Sequence, residues 1–189
     1  MRRCSTDILH VREYRAFIRY RAILGIERTE GAIAPLHELS EADWSRAIAV
    51  NLTGVFLCLK HELAAMLPQR SGAIVNVSSV LGVTGLGSAA GYTAAKHGVI
   101  GLTKTAALEA SPQGIRVNAV CPGFVETPMA QRSRAIVGDE VYAGVRELHA
   151  LKRLGEAEEI AETIVWLLSD AASFVTGSAL LADGGYTAQ

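Results

Sequence analysis

The sequence predicts an α/β fold in which helices flank a Rossmann-like parallel sheet. Long apolar patterns with helical spacing alternate along the chain with short runs of β-branched residues. The short runs are bounded by Gly, Pro and Ser, as strands are. They are apolar throughout, which is typical of strands that are covered on both faces. Alternating helices and strands of this kind favour a parallel sheet wrapped by helices.

The regular pattern begins at Pro35, and each element after it has a local signal. Ser40 is a good helix N-cap with Asp43 three residues later, and the apolar helical pattern continues to about Leu67. The run SGAIVNVSS predicts a short, fully buried strand. The composition of residues 92–110 predicts the next helix.

The second half of the sequence adds two strands and a helix. The run GIRVNAVCPG predicts a buried strand that is stopped by Pro122 and Gly123. EAEEIAETIVWLLSD has the spacing of an amphipathic helix, and GSALLADGG predicts the final strand. Trp44 and Trp166 fall on apolar positions of helical patterns, so we expect both in the core.

Composition excludes several classes of protein. The chain has 189 residues, half of them apolar, and a net charge of −1, whereas nucleic-acid and membrane-surface binders need a sustained basic patch. No apolar run reaches the length of a membrane span. The three cysteines are widely separated and show no metal-ligand spacing. We therefore expect a one-domain cytoplasmic protein with reduced thiols, no metal, and no nucleic-acid or membrane partner.

Three polar side chains in the Gly-rich stretch from 76 to 98 form a candidate catalytic set. Tyr92 and Lys96 are four residues apart, so a helix places them on one face. A nearby ammonium lowers the pKa of a phenol, whose ordinary value is about 10. Ser79 follows the first strand and can reach the same point. The set suits proton transfer to or from a carbonyl or alcohol oxygen, although a Tyr-x-x-x-Lys pair also occurs by chance and a Ser after a strand is usually a turn residue.

Five ordered blocks of the sequence resemble the short-chain dehydrogenase/reductase family. They are VNLTGVF, IVNVSSVLG, YTAAK, RVNAVCPGFVETPM and ASFVTGSALLADGGY, and the resemblance runs from about Gly25 to Tyr186. It implies an NAD- or NADP-dependent oxidoreductase. Such an enzyme passes a hydride between the nicotinamide cofactor and a small-molecule secondary alcohol or ketone.

The resemblance also implies roles for particular residues. Tyr92 is the expected general acid/base, and Lys96 lowers its pKa and holds the nicotinamide ribose. Ser79 polarises the substrate carbonyl. Asn51, in VNLTGVF, holds a water that links Lys96 to solvent.

The cofactor residues implied by the resemblance lie in two places. Gly25 is the one residue of Ala22–Gly25 that agrees with the family's N-N-A-G segment. The second place, Pro122 to Thr127, resembles the segment that grips the nicotinamide carboxamide, with Val125 acting through its backbone and Thr127 through its hydroxyl. The cofactor-binding set is therefore Gly25, Tyr92, Lys96, Pro122, Gly123, Val125 and Thr127.

Three neighbouring residues have simpler interpretations. Asn76 is expected to form hydrogen bonds at the end of its strand. His97 points away from the face of the helix that carries Tyr92, so it is a packing or surface residue. Cys121 has no cationic neighbour in sequence, and we do not expect an activated thiolate there.

The N-terminal part of the sequence departs from the family pattern. The sequence contains no T-G-x-x-x-G-x-G turn, the motif that receives the cofactor pyrophosphate. Residues 1–24 are Arg-rich and atypical, so we divide the chain into this segment and a C-terminal catalytic part, 25–189. We expect the first βαβαβ part of the fold to be missing. The alternative to an active enzyme is a non-catalytic truncated remnant or an interaction subunit.

Two helices carry apolar stripes that bear on assembly. One stripe lies in the helix at 92–110 and the other in the helix at 40–67, and the resemblance implies that these helices form a homodimer or homotetramer. In the alternative, both stripes face the chain's own sheet. The stripe residues are Val99, Leu102, Thr103, Ala106 and Ala107, and Val55, Leu59 and Leu63.

Overall fold

The computed structural model describes residues 33–188. A helical rod comes first, made of α1 (Glu41–Ile48), a π-helical turn (Ala49–Thr53), α2 (Gly54–Met66) and a 3₁₀ turn (Leu67–Gln69). The later helices are α3 (Ala90–Ala110), α4 (Pro128–Val137), α5 (Asp139–Glu147) and α6 (Ala157–Leu168). The strands are β1 (Gly72–Val77), β2 (Ile115–Pro122), β3 (Val125–Glu126), β4 (Gly155–Glu156) and β5 (Ala179–Ala182).

The main sheet is parallel, as predicted. Its strand order is β1-β2-β5, with Gly72 opposite Ile115 and Ala119 opposite Ala179. A second, two-stranded parallel sheet joins β3 to β4. The predicted helices and strands of the main sheet are confirmed, while α4 and α5 were not predicted from the sequence.

The start of the rod follows the predicted capping signal. Ser40 is extended (φ −69°, ψ 147°), and its hydroxyl accepts a hydrogen bond from the Asp43 N–H at 3.1 Å. The same hydroxyl donates to the Asp43 carboxylate at 2.8 Å. The side chain thus satisfies one of the backbone donors that a helix N-terminus leaves unpaired.

Helices cover both faces of the central strand, β2. On one face, α2 and α3 contribute apolar side chains, including Leu59 and Ala106, to a cluster with Ile115 and Val117. On the other, α6 packs against Val120. Residues 117 and 119–121 of β2 are 0% exposed, so the prediction of a buried strand is confirmed there.

Three burial predictions are wrong. β1 is not fully buried: Val77 is 41% exposed, because β1 pairs with β2 on one side and with no other strand among residues 33–188. Trp44 and Trp166 are 40% and 42% exposed. Apolar periodicity locates a face but not its edges, and a side chain as large as Trp is rarely enclosed completely.

The predicted surface stripes on the rod and α3 mostly face the chain's own interior. Val99, Thr103, Ala106, Ala107 and Leu59 are buried, and Leu63 and Leu102 pack against the same core cluster. The alternative interpretation is therefore correct for these residues. Other apolar side chains of these helices are exposed, among them Phe56 and Leu57 on α2 and Leu108 on α3.

The rod also corrects the expectation about membrane spans. The helical residues Glu41–Gln69 contain an 18-residue window with a mean hydropathy of 1.3, which by length and composition alone is enough to cross a membrane. Only 17% of that window is buried. Length and composition alone do not establish a membrane span, and this rod supplies Leu59 to the core.

Arg116 and Asn118 tie β2 to the connection between α6 and β5, and we call this pair the crossover lock. The Arg116 guanidinium donates to the carbonyls of Leu167 (2.7 Å), Ser169 (3.0 Å) and Leu168 (3.3 Å) at the C-terminus of α6. The Asn118 amide donates to Val175 O at 2.8 Å and accepts from Ser178 N at 3.0 Å. The RVN block thus satisfies carbonyls that the helix end leaves unpaired.

Several predictions fall outside residues 33–188. The boundary between residues 24 and 25, the assignment of Gly25 to the cofactor site and the thiol of Cys4 all lie there.

Candidate functional site

The site is built at the carboxyl end of β1, where ligands of parallel sheets bind. Beyond the strand, Ser78 N donates to Val120 O at 2.8 Å, which continues the pairing with β2. The Ser78 hydroxyl donates to the Lys96 carbonyl at 2.9 Å and so fastens α3 to the strand end. Gly82 packs into this joint, since a Cβ there would lie 2.5 Å from Ser78 Oγ and 3.0 Å from Lys96 O.

Ser79, Tyr92 and Lys96 meet at this point. Ser79 is extended (φ −167°, ψ 164°), and its Oγ accepts a hydrogen bond from Leu81 N at 3.1 Å. The Ser79 side chain also lies beside Tyr92, where it acts to lower the pKa of the phenol. Lys96, one helical turn along α3, places its Nζ 5.3 Å from the centroid of the Tyr92 ring and donates to Val77 O at 3.1 Å. The predicted trio is thus one cluster.

Burial dominates the titration behaviour of the trio. It raises the pKa of Tyr92, and the Ser79 side chain only partly offsets this. Burial also lowers the pKa of Lys96 to about 8, with the nearby Cys121 acting in the opposite direction. The prediction that Tyr92 has a lowered pKa is contradicted in this state of the protein. The Lys96 ammonium lies over the ring face and binds a carbonyl, and desolvation disfavours the phenolate.

Asn51 occupies the π turn between α1 and α2. It is buried, and its amide donates to Ala47 O at 3.1 Å. α3 lies tightly against this part of the rod, because a Cβ at Gly91 would be 2.9 Å from Ala47 Cβ and a Cβ at Gly98 would be 2.8 Å from the Leu52 side chain. The π turn therefore flanks the segment of α3 that carries Tyr92 and Lys96. Single π turns inside α-helices frequently occur at functional sites.

Cys121, at the end of β2, lies beside the trio. Burial raises the pKa of its thiol, and hydrogen bonds with the Ser78 side chain and the Ser79 backbone act against that rise, as does the charge of Lys96. The side chain is 0% exposed. The prediction that this thiol is not activated is confirmed, although in space the thiol does have a cationic neighbour, which its sequence neighbours do not reveal.

The segment 122–127 leaves β2 next to the trio. Gly123 N donates to Ala182 O at 3.1 Å, and Val125 lies opposite Gly155 in the pairing of β3 with β4. Thr127 is extended and caps α4, with its hydroxyl oxygen accepting from Ala130 N at 3.2 Å. The Thr127 hydroxyl proton is not used by that bond.

A pocket of about 360 Å³ borders this segment on the side of β5 and α6. Gly123 and Phe124 line it, together with His149, Asp183 and the Arg153–Glu159 pair, in which both guanidinium nitrogens lie 2.7 Å from carboxylate oxygens. Burial raises the pKa of Asp183, but hydrogen bonds from Thr187 and Gly185 outweigh it and hold the pKa below its ordinary value.

Two further predicted residues behave as expected. The Asn76 amide, fully buried in β1, donates to Thr103 Oγ1 at 3.0 Å, which links the strand to α3. His97 is exposed, with its Nδ1 3.0 Å from Thr93 O.

The residues that sequence reasoning missed are Ser78, His149 and Asp183. Ser78 could have been found from its place beside Ser79 at a strand end, where a second hydroxyl can anchor the following helix. His149 carries no motif, and neither periodicity nor spacing indicates that residues 149 and 124 are in contact.

Comparison with known proteins finds relatives that are named reductases and dehydrogenases. A family model described as enoyl-(acyl carrier protein) reductase matches residues 22–187. The chain is 51% identical over 155 residues to a cis-4-hydroxycyclohexanecarboxylate dehydrogenase of Sinomonas cyclohexanicum, covering 82% of this chain and 61% of that protein. It is 45% identical over 159 residues to a cyclohexanol dehydrogenase of Acinetobacter sp. strain SE19, covering 84% and 61%.

Solved structures agree with these relatives. The chain matches the crystal structure of a levodione reductase with a TM-score of 0.80 and 41% identity, covering 87% of this chain and 64% of that one. It matches a structure titled ElxO with NADP bound with a TM-score of 0.77 and 35% identity, covering 82% and 62%. The chain therefore spans about three fifths of the length of the proteins that it matches.

Proposed function

We propose that this chain, which belongs to the short-chain dehydrogenase/reductase family, carries the acid–base part of an NAD- or NADP-dependent oxidoreductase that interconverts a secondary alcohol and a ketone. The observation that carries the proposal is the cluster at the end of β1, in which the Ser79 side chain lies beside Tyr92 and the Lys96 ammonium lies over the Tyr92 ring. A hydroxyl pair backed by a cation suits proton exchange with one substrate oxygen.

In the direction of reduction, the Tyr92 hydroxyl donates its proton to the substrate carbonyl oxygen. The raised pKa of Tyr92 keeps the proton on the phenol until an oxygen with developing negative charge is present to receive it. The Ser79 hydroxyl proton can donate a hydrogen bond to the same oxygen while its Oγ accepts from Leu81 N. In the direction of oxidation, Tyr92 must first lose its proton, and Lys96 is the cation that stabilises the resulting phenolate.

The residues around the trio fit the nicotinamide half of a cofactor. The Lys96 ammonium has three N–H donors and uses one of them in its hydrogen bond to Val77 O. The other two can bind ribose hydroxyls. Thr127 has a hydroxyl proton to donate to a carboxamide, beside Pro122, Gly123 and the backbone of Val125. The cofactor, when bound, supplies or accepts the hydride. Asn51, on the adjacent π turn, is suited to hold a water near Lys96. The proposal covers this half of the cofactor site only.

For the substrate, we propose an alcohol or ketone on a six-membered carbon ring. The support is the pair of relatives named above, whose names place the reacting hydroxyl on a cyclohexane ring in both cases. We also propose that the protein is cytoplasmic, which agrees with the free thiols of Cys58 and Cys121.

A nucleotide titration followed by a turnover assay tests the proposal. Purified protein should gain thermal stability when NAD or NADP is added, because a ligand of the native state stabilises it. It should also oxidise cyclohexanol with one of the two nucleotides. The matched control is Tyr92→Phe, which should bind the nucleotide but not turn over. No stabilisation by either nucleotide together with no turnover would instead support the non-catalytic alternative.

We also propose that the protein is a homodimer or homotetramer. The support comes from the exposed apolar side chains of the rod and α3, with Phe56 45%, Leu57 47% and Leu108 81% exposed. Light scattering coupled to size-exclusion chromatography should give twice or four times the 20.1 kDa chain mass. Phe56→Glu should shift the population toward monomer. A wild-type monomer at micromolar concentration would contradict this assembly.

A further inference from the structure

His149 joins three separate segments of the chain through its imidazole. It lies just beyond α5, is 1% exposed, and uses both ring nitrogens. Nδ1 is 2.9 Å from Val145 O, and Nε2 is 3.2 Å from Phe124 N. A carbonyl can only accept and a peptide N–H can only donate. The geometry therefore requires the neutral imidazole with its proton on Nδ1, and Nε2 accepts the hydrogen bond from Phe124.

The Phe124 end of this contact belongs to the segment proposed to hold the nicotinamide. The residue before it, Gly123, has no room for a side chain, since a Cβ there would lie 2.9 Å from Asp183 Cα and 3.0 Å from His149 Nε2. The Phe124 ring meets the imidazole edge-on at 5.9 Å, and the Tyr186 ring lies 5.2 Å from the imidazole. The imidazole thus supports the segment one residue before Val125.

We propose that His149 is a positioning residue that sets the conformation of residues 122–127 for cofactor binding, and that it does so only in its neutral form. Protonation would replace the Nε2 lone pair with a second N–H that faces the N–H of Phe124. The hydrogen bond would then be lost, and a buried donor would be left without its acceptor. This inference rests on the proposed function for its cofactor role, but not for the contact itself.

The charged groups that share the pocket with His149 are already engaged. Arg153 and Glu159 pair with each other through two contacts of 2.7 Å. The Asp183 carboxylate accepts from Gly185 N at 3.0 Å and from Thr187 N and Oγ1 at 2.9 and 2.6 Å. Among residues 33–188, the Tyr186 phenol is a further titratable group beside the imidazole.

Two amide substitutions separate the two bonds of the imidazole. His149→Gln puts an acceptor near the position of Nε2 and keeps the Phe124 contact. His149→Asn puts a donor near the position of Nδ1, so it keeps the Val145 contact and loses the other. The two variants differ by one methylene, which makes each a control for the other.

Hydrogen exchange measured by mass spectrometry at pH 7.5 tests the proposal in the full chain. At pH 7.5, His149→Asn should speed exchange of peptides covering 122–127 by about tenfold, with His149→Gln close to wild type. The Kd for NAD or NADP should be higher for His149→Asn than for His149→Gln and wild type. Equal exchange in both variants, whether protected or deprotected, would overturn the proposal.

A measurement on wild-type protein guards against variants that do not fold. Long-range proton–nitrogen correlation spectra at pH 7.5 should show the His149 ring neutral, with its proton on Nδ1. The opposite tautomer or a protonated ring would overturn the proposal. If the exchange results hold but wild-type protein binds neither NAD nor NADP, the positioning of the segment stands and the proposed function fails.

Discussion

The cluster at the end of β1 and the crossover lock at the start of β2 both bury polar side chains, but they use them differently. In the lock, Arg116 and Asn118 form their hydrogen bonds with backbone groups of the connection between α6 and β5. In the cluster, the Ser79 side chain lies beside Tyr92, and Lys96 donates one hydrogen bond to a backbone carbonyl. Polar side chains whose hydrogen bonds go to the backbone hold the fold together. Neighbouring side chains that keep hydrogen-bond donors available for a ligand indicate a catalytic or binding site.

The largest expected effect separates the two regions through activity. Tyr92→Phe keeps the ring and removes the proton donor, so kcat should fall by about 10³, within the range of general acid–base catalysis. The free energy of unfolding should change by no more than about 1 kcal/mol, the value of one hydrogen bond. Steady-state kinetics and urea denaturation measure the two quantities. Near-parental turnover in this variant would remove Tyr92 from the mechanism.

The reverse pattern is expected at the lock. Asn118→Leu leaves Val175 O and Ser178 N without their side-chain partner, and the free energy of unfolding should drop by about 3 kcal/mol. Turnover of the folded fraction should stay close to wild type, because Asn118 touches none of the trio. Urea denaturation gives the stability, and active-site titration normalises the rate. If Asn118→Leu is as stable as wild type but has lost turnover, the structural role of the lock is contradicted.

A smaller effect is the pH dependence of stability that the burial of Lys96 causes. The pKa of Lys96 is about 8 in the folded protein, below its ordinary value of 10.5. Between these values the unfolded chain holds more protons, so this group makes stability rise with pH, and its burial is most costly below about pH 8. Lys96→Met removes that cost. Its stability relative to wild type, from urea midpoints at pH 7 and pH 10, should therefore decrease as the pH rises, and a constant difference would show that Lys96 is not desolvated.

The smallest effect lies outside both regions and serves as a reference. Ser40→Ala removes the N-cap of α1, and the free energy of unfolding should drop by about 1 kcal/mol. Turnover should not change. Thermal unfolding monitored by circular dichroism measures the loss, and Ser40→Asp, which can also cap a helix, should recover most of it.

Sequence reasoning succeeded where the signal is local. The cap at Ser40, the strands of the main sheet and the shared helix face of Tyr92 and Lys96 follow from residue types at short spacing. It failed where the outcome depends on what lies across the fold. The exposure of Val77 depends on neighbouring strands, and the pKa of Tyr92 depends on desolvation.

The same limit applies to the residues around the candidate site. His149 reaches Phe124 across 25 positions, and Cys121 meets Lys96 only because β2 and α3 lie side by side. Neither pairing follows a spacing rule. The helices α4 and α5 are only 10 and 9 residues long. Both are shorter than the window of about 11 to 18 residues over which helical periodicity is read from a sequence.

The π turn at Ala49–Thr53 changes the phase of the rod. In an uninterrupted α-helix each residue advances by about 100°, so positions 47 and 59 would point roughly 120° apart. The wider turn absorbs one extra residue and brings them to within about 20° of each other. Ala47 can then meet α3 while Leu59 reaches the core on the same side. The π turn therefore acts as a one-residue insertion that leaves the orientation of α2 unchanged. Asn51 lies within this turn.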